Sequence, residues 1–296
     1  MRDIRVYAPA KLNLYLDVLG KRPDGFHDIE TIFEKIDLRD EIIIKEKGRG
    51  VKVKVDAADC SQGEENIVYK AAHAIFKETG AALNLDIEIK KRIPGSAGLG
   101  GGSSDAASTL KAINAIFKLR IPDKKLFSIA GHIGKDVPFF MMDASFAIAR
   151  GAGERLKKIN LDKDLFHILI KPPISLSTGL MYERIDRCGF SSGTHSLKAA
   201  LWALKKMDMK ALEKNYYNIF EDALAGNSVH IDRIKTLLAR SGVRHSLLSG
   251  SGSSVFCTFE NKEDAENVFK EIPKRKGMGV FCVKTYRGGI YGNNRG

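Results

Sequence analysis

"IPGSAGLGGGSSDAAS", residues 93–108, sets five glycines and four serines between an apolar alternation and a run of small helix formers. Upstream, Leu85, Ile87 and Ile89 alternate with charged residues through "LDIEIKKRI", which predicts a half-buried strand. Downstream, Ala106, Leu110, Ile113 and Phe117 recur at the spacing of one helix face, and Ser103, Ser104 and Asp105 are types suited to its start. The local plan is therefore strand, glycine loop, helix. A helix start presents unpaired N–H groups at its positive end, and glycine lets the chain wrap closely around an anion. A phosphate group is the guest this arrangement predicts. Spacing excludes the commoner phosphate loops. Gly95 and Gly100 are followed by Gly101 and Gly102 where a Walker loop needs Lys then Ser or Thr, and Ser103 stands where a dinucleotide fingerprint needs its third glycine.

The rest of the composition is that of an ordinary soluble enzyme. With 296 residues, 44% hydrophobic and 28% charged, the chain can fill two packed domains. No apolar run reaches the roughly 20 residues of a membrane span, and the start lacks a signal-peptide pattern, so no membrane partner and a cytoplasmic location are expected. Cys60, Cys188, Cys257 and Cys282 form no Cys-x-x-Cys pair, which signals neither a zinc site nor a disulfide framework. The net charge of +12 is spread along the chain without a nucleic-acid-binding signature, so anionic metabolites or a solvated lysine surface account for it and no nucleic-acid partner is expected.

The pattern changes character near Asp162. Before it, "KLNLYLDV", "DEIIIKEK" and "VKVKVD" read as strands and "ENIVYKAAHAIFKETG" as a helix stopped by Gly80. After it come a strand "LFHILI", helices through "HSLKAALWALKKM", "KALEKNYYNIFEDALAG" and "HIDRIKTLLARSG", strands "HSLLSG" and "SSVFCTF", a helix "KEDAENVFKEI" and a last strand "GVFCVKTY". With the intervening helices counted as one crossover, this is the β-α-β-β-α-β order of a ferredoxin-like domain. The expectation is an α+β chain of two domains, residues 1–162 and 163–296.

Three further segments carry candidate chemistry. In "AKLNLYLDV" a period of two puts Leu12, Leu14 and Leu16 on one face and Lys11, Asn13, Tyr15 and Asp17 on the other, so an ammonium and an amide converge. In "GHIGKDVPFF", Gly134 and Pro138 bracket Asp136 and forbid a long helix, which fixes Asp136 on a turn. "LLSGSGSSVF" places Gly250 and Gly252 between two apolar segments and alone reads as a hairpin turn. Taken singly, a strand lysine is more often solvated and a turn aspartate more often a cap.

Together, "PAKLNLYL", "PGSAGLGGGSSDAA" and "SGSGSSVF", in that order, resemble the GHMP kinase superfamily along nearly the whole chain. "RPDGFHDIETIF", "GKDVPFF", "ARGAGERL" and "PPISLSTGLMY" are further similar to the branch that phosphorylates a small alcohol bearing a cytidine diphosphate. The resemblance implies an N-terminal domain like ribosomal protein S5 domain 2, a C-terminal ferredoxin-like domain, ATP as co-substrate and Mg²⁺. It also implies roles. Asp136 matches the family's general base and Lys11 the lysine that holds it, with Asn13 as an orienting partner. Pro94, Gly95, Ser96, Ala97, Gly98, Leu99, Gly100, Gly101, Gly102, Ser103 and Ser104 match the ATP loop, the two serines reaching phosphates or Mg²⁺, and no protein carboxylate is assigned to the metal. Phe26, His27 and Tyr182 match the segments that meet the cytidine end, and Asn66 a position near the adenosine, where it equally suits a helix cap. Phe26 departs from a frequent tyrosine, and Lys135 from a small residue, its side chain expected in solvent. Mevalonate and homoserine kinases are the nearest alternatives, a nucleotide sensor would be expected to lose Lys11 or Asp136, and the chain is expected as a monomer or homodimer.

Overall fold

Two long strands carry the first half of the computed structural model, which describes residues 3–57, 60–80, 84–190, 193, 195–224 and 228–289. Strand β1 (Asp3–Lys21) runs antiparallel to β2 (His27–Glu46) along almost their full lengths, with register shifts after Pro9, Asn13 and Val18. β2 pairs with β4 (Leu85–Lys90) through Glu41–Glu46 and with β5 (Phe146–Gly151) through Ile29–Glu34; β3 (Val51–Val55) flanks β4 and β6 (Arg155–Ile159) flanks β5. Helices α1 (Ile67–Thr79), α2 (Gly101–Ile116), α3 (Asp123–Ile133) and the five-residue α4 (Val137–Met141) follow in the same half. They share a core with the sheet through Val68, Ala72, Leu110, Ile113, Phe139 and Ile87, all at or near zero exposure. Both faces of β1 are covered, and Lys11, Asn13, Tyr15 and Asp17 are all buried. The strict alternation also fails at Leu14, which has no residue opposite it between the pairs Asn13 with Phe33 and Tyr15 with Ile32.

The second half forms a four-stranded sheet from β7 (Phe166–Lys171), β9 (Leu247–Leu248), β10 (Val255–Phe259) and β11 (Gly279–Lys284), in the order β11-β7-β10-β9. With α10 (Lys262–Glu271) between β10 and β11, this is the expected ferredoxin-like topology. The crossover from β7 to β9 holds α5 (Thr178–Cys188), α6 (Leu197–Lys206), α7 (Met209–Lys214), α8 (Ile219–Leu224) and α9 (Val229–Arg240). One expected helix is thus corrected. "KALEKNYYNIFEDALAG" breaks after Lys214 into β8 (Tyr217–Asn218), which joins the first sheet parallel to β1 at Tyr15 and Leu16. Asn218 fixes this crossing, since its amide donates to the carbonyls of Leu248 and Gly250 at 2.7 and 2.8 Å.

A buried polar pair also joins the halves. His167 on β7 and Glu34 on β2 are both 0% exposed, with Nε2 and Oε2 3.0 Å apart but not aligned for a hydrogen bond. Thr285 donates to Glu34 Oε1 at 2.6 Å and accepts from the Leu165 N–H at 2.8 Å. Removing one member of a fully buried pair ordinarily costs about 3–5 kcal/mol. His167→Ala should therefore lower the unfolding free energy from urea titration by about 3 kcal/mol and shift the midpoint down accordingly, whereas Lys163→Ala, at an exposed pair with Glu260, should barely move it. Equal midpoints for the two variants would show that the contact between the sheets carries no stability.

Candidate active site

Helix α2 begins at Gly101, with Gly100 as its N-cap at φ +68°. This is earlier than the capping types Ser103 and Ser104 suggest, and those two lie inside the first turn. The first bond back into the helix runs from Ser104 N to Gly100 O at 2.9 Å, which leaves the N–H groups of Gly101, Gly102 and Ser103 without an intrahelical acceptor. The loop before them is clamped from two sides. Lys11 N donates to Leu99 O at 2.9 Å, Ser249 Oγ to Gly98 O at 3.0 Å and Ser254 N to Ala97 O at 3.3 Å. A Cβ on Gly98, at φ +74°, would sit 1.9 Å from the Ser249 carbonyl oxygen. The turn between β9 and β10 is therefore more than a hairpin connection, because it forms one wall of the glycine loop.

These segments enclose a cavity of about 1020 Å³ bordered by Pro94 to Gly102 and by Lys11, Asn13, Phe26, His27, Asn66, Asp136 and Tyr182. Ser103 and Ser104 do not border it. Ser104 is fully buried with its hydroxyl unpartnered, and Ser103 is half-buried, so the expected contact of both hydroxyls with a ligand is not built into this arrangement.

Lys11 and Asn13 do converge, the ammonium donating to Asn13 Oδ1. Asn13 is held in turn, its Nδ2 donating to Thr31 Oγ1 at 2.8 Å and that hydroxyl to the Tyr15 carbonyl at 2.5 Å. Burial lowers the pKa of Lys11, and the carboxylate charge of Asp136 opposes that shift. Asp136 stands at the N-cap of α4 but makes no capping bond with its side chain. Its carboxylate is thus left to the cavity it borders.

At the other end, His27 stacks on Tyr182 with centroids 4.5 Å apart and 21° between planes, while Tyr182 meets Phe220 edge-on at 5.0 Å. His27 Nε2 bonds Asp186 Oδ1 at 2.8 Å, and Lys21 donates to the second oxygen at 2.6 Å. Phe26 is 47% exposed at the rim. Lys135 does not point away into solvent: its Nζ lies over the Phe26 ring, 4.4 Å from the centroid. Asn66 borders the cavity as a helix cap, accepting from Val68 N at 2.8 Å and donating to Ser61 O at 2.7 Å.

Sequence reasoning passed over two groups of residues here. Asp186 lies four residues after Tyr182, one turn along α5, and that spacing was its only signal. Lys91, just before the loop, donates to Asp105 at 2.8 Å and to Asp40 at 2.5 Å, and Asp40 also accepts from the N–H groups of Arg92 and Ile93 at 2.6 and 2.8 Å. Burial pushes Asp105 above the ordinary carboxylate range against the pull of Lys91, while Asp105 and Asp40 together outweigh burial and raise Lys91. The three side chains anchor the strand end that feeds the loop. No group of three or more His, Cys, Asp or Glu side chains able to hold a metal occurs among the described residues.

Comparison with known proteins bears on the same segments. The family model for the GHMP kinases N-terminal domain matches residues 66–151, and that for the GHMP kinases C-terminal domain residues 200–277. A Clostridioides difficile protein named 4-diphosphocytidyl-2-C-methyl-D-erythritol kinase is 37% identical over 292 residues, covering 98% of each chain. The chain belongs to the GHMP kinases. A Citrifermentans bemidjiense protein of the same name is 35% identical to this GHMP kinase over 286 residues, 96% of this chain and 100% of its own. A crystal structure of 4-(cytidine 5'-diphospho)-2C-methyl-D-erythritol kinase superposes with a TM-score of 0.81 at 31% identity, over 95% of this GHMP kinase and 98% of that chain. No helix among the described residues is long and apolar enough to cross a membrane.

Proposed function

We propose that this GHMP kinase transfers the γ-phosphoryl group of ATP to the 2-hydroxyl of 4-diphosphocytidyl-2-C-methyl-D-erythritol, giving the 2-phosphate and ADP in the synthesis of isoprenoid precursors. The observation that carries the reading is one cavity bordered at one end by a clamped glycine loop with a helix start and at the other by an aromatic group centred on His27 and Tyr182. Full-length similarity to proteins of that name supports the same substrate.

In this reading Asp136 takes the proton of the attacking hydroxyl, and Lys11, held by Asn13, favours the ionised carboxylate and the developing alkoxide. The N–H groups at the start of α2 receive the ATP phosphates. Mg²⁺ carried on those phosphates would neutralise part of their charge, and with no cluster of metal-ligating side chains among the described residues its ligands would be phosphate oxygens and water. Tyr182 and Phe26 offer faces for the cytosine ring, and Asp186 fixes the ring of His27, leaving Nδ1 as its free nitrogen for the base edge. The division into domains is read close to residue 162, between β6 and β7, with β8 crossing back. A cytoplasmic monomer or homodimer completes the reading.

The test is ADP release from Mg-ATP with the cytidylated alcohol, mevalonate and homoserine offered separately. Turnover with the cytidylated alcohol alone is expected. Turnover with mevalonate or homoserine in its place would remove the substrate assignment and the cytidine roles of Phe26, His27 and Tyr182. Asp186→Asn should raise KM for the cytidylated substrate by about tenfold, the value of one mis-set hydrogen bond, with kcat less affected. An unchanged KM would detach His27 from recognition.

A further inference from the structure

At the far end of α4 from Asp136 lies a second cavity of about 300 Å³, lined mainly by polar atoms. Three of its lining residues are lysines from separate elements, and two of them, Lys35 on β2 and Lys111 on α2, are held at the end of α4. Lys35 is only 7% exposed and donates to the Met142 carbonyl at 2.6 Å, and Lys111 donates to the Phe140 carbonyl at 3.1 Å. Neither makes an ion pair within 4.0 Å among the described residues, and an ammonium has three donors of which each lysine uses one. Burial drives both towards the neutral form, Lys35 to about 7, with the charge of Lys111 adding to the shift at Lys35 and that of Asp143 opposing both. Two desolvated ammoniums from different elements, facing one polar cavity with Asp143 near them but no carboxylate in ion-pair contact, form an electrostatic arrangement that an anion would complete.

We propose that this cavity is a second anion site that binds a phosphate group between Lys35 and Lys111. Lys158 and Arg287 also line the cavity, although Arg287 is already paired with Asp164 at 2.7 Å; the acidic lining residues are Asp143 and Asp162. The volume holds inorganic phosphate or pyrophosphate and leaves room for a small phosphate monoester. Both ammoniums hold carbonyls at the last turn of α4, whose first turn follows Asp136, so an occupant would bear on the element that carries that carboxylate.

The experiment is calorimetric titration of the whole chain with inorganic phosphate, pyrophosphate and glycerol 3-phosphate in separate arms, without metal and with ADP saturating the nucleotide loop. We expect a binding event that persists with ADP present and that weakens at least about tenfold in Lys111→Met. Ala144→Glu places a carboxylate among the lining residues without removing a hydrogen bond, and it should abolish the event in a protein that melts like the parent. Lys11→Ala should leave the event unchanged. The arm with the tightest binding identifies the form of phosphate the site takes. No binding at millimolar anion with ADP present, or binding of equal strength in Lys111→Met and Ala144→Glu, would overturn the proposal.

Discussion

Asp136→Asn is expected to lower kcat by about 10²- to 10⁴-fold while KM for ATP stays within a few-fold, the range for loss of a positioned general base. The substitution is close to isosteric, and because the Asp136 side chain makes no capping bond, α4 loses no hydrogen bond with it. The melting temperature should therefore stay near that of the parent. A second readout follows from Lys11. The carboxylate charge opposes the burial that lowers the Lys11 pKa, so removing it lets that pKa fall further. Whatever activity remains in Asp136→Asn should decline at a lower alkaline pH than the parent activity. A kcat within tenfold of the parent would take the proton-accepting role away from Asp136, and a large rise in KM for ATP would mean that the loop had moved instead.

Gly98→Ala is expected to weaken ATP binding by more than tenfold and to lower stability by several kcal/mol. Two costs add. A side chain at φ +74° pays about 1–2 kcal/mol for the left-handed conformation. The new Cβ would also meet the Ser249 carbonyl oxygen at 1.9 Å, and that neighbour is backbone, which no rotamer change can move aside. Overpacking of this kind typically costs about 1–3 kcal/mol, and relieving it requires the loop to part from the turn that clamps it. Gly80→Ala is the matched control: its φ is +64°, but a Cβ there meets nothing within 4 Å. The difference between the two variants in melting temperature and in ATP titration isolates the clash. If Gly98→Ala binds ATP as Gly80→Ala does, the contact between the two glycine segments does not shape the loop.

Much of this site is legible in the sequence. The pairing of Lys11 with Asn13 followed from the period of two, because their contact spans only one strand repeat. The stop before Asp136 followed from Gly134 and Pro138, whose backbone limits act locally. What stayed hidden depends on contacts between distant segments. Tyr217 and Asn218 form a strand only because Tyr15 and Leu16 lie beside them, and a two-residue strand between helical segments leaves no periodicity to detect. The bulge at Leu14, which turns Tyr15 into the core, is set by the partner strand rather than by the residues of β1. The partners of His27 and Lys91 come from 159 and 51 residues away, and a lone Asp186 or Asp40 has no pattern to mark it. The position of Lys135 over Phe26 belongs to the same class, since an exposed aromatic ring attracts a neighbouring cation that composition alone assigns to solvent.

The most direct measurement is phosphorus NMR of the reaction of this GHMP kinase with Mg-ATP and 4-diphosphocytidyl-2-C-methyl-D-erythritol. A new phosphomonoester resonance should grow with ADP in equal amounts while the diphosphate signals of the substrate remain, with carbon coupling placing the ester on the 2-hydroxyl. ADP appearing with inorganic phosphate and no ester, or an ester on another hydroxyl, would contradict the account.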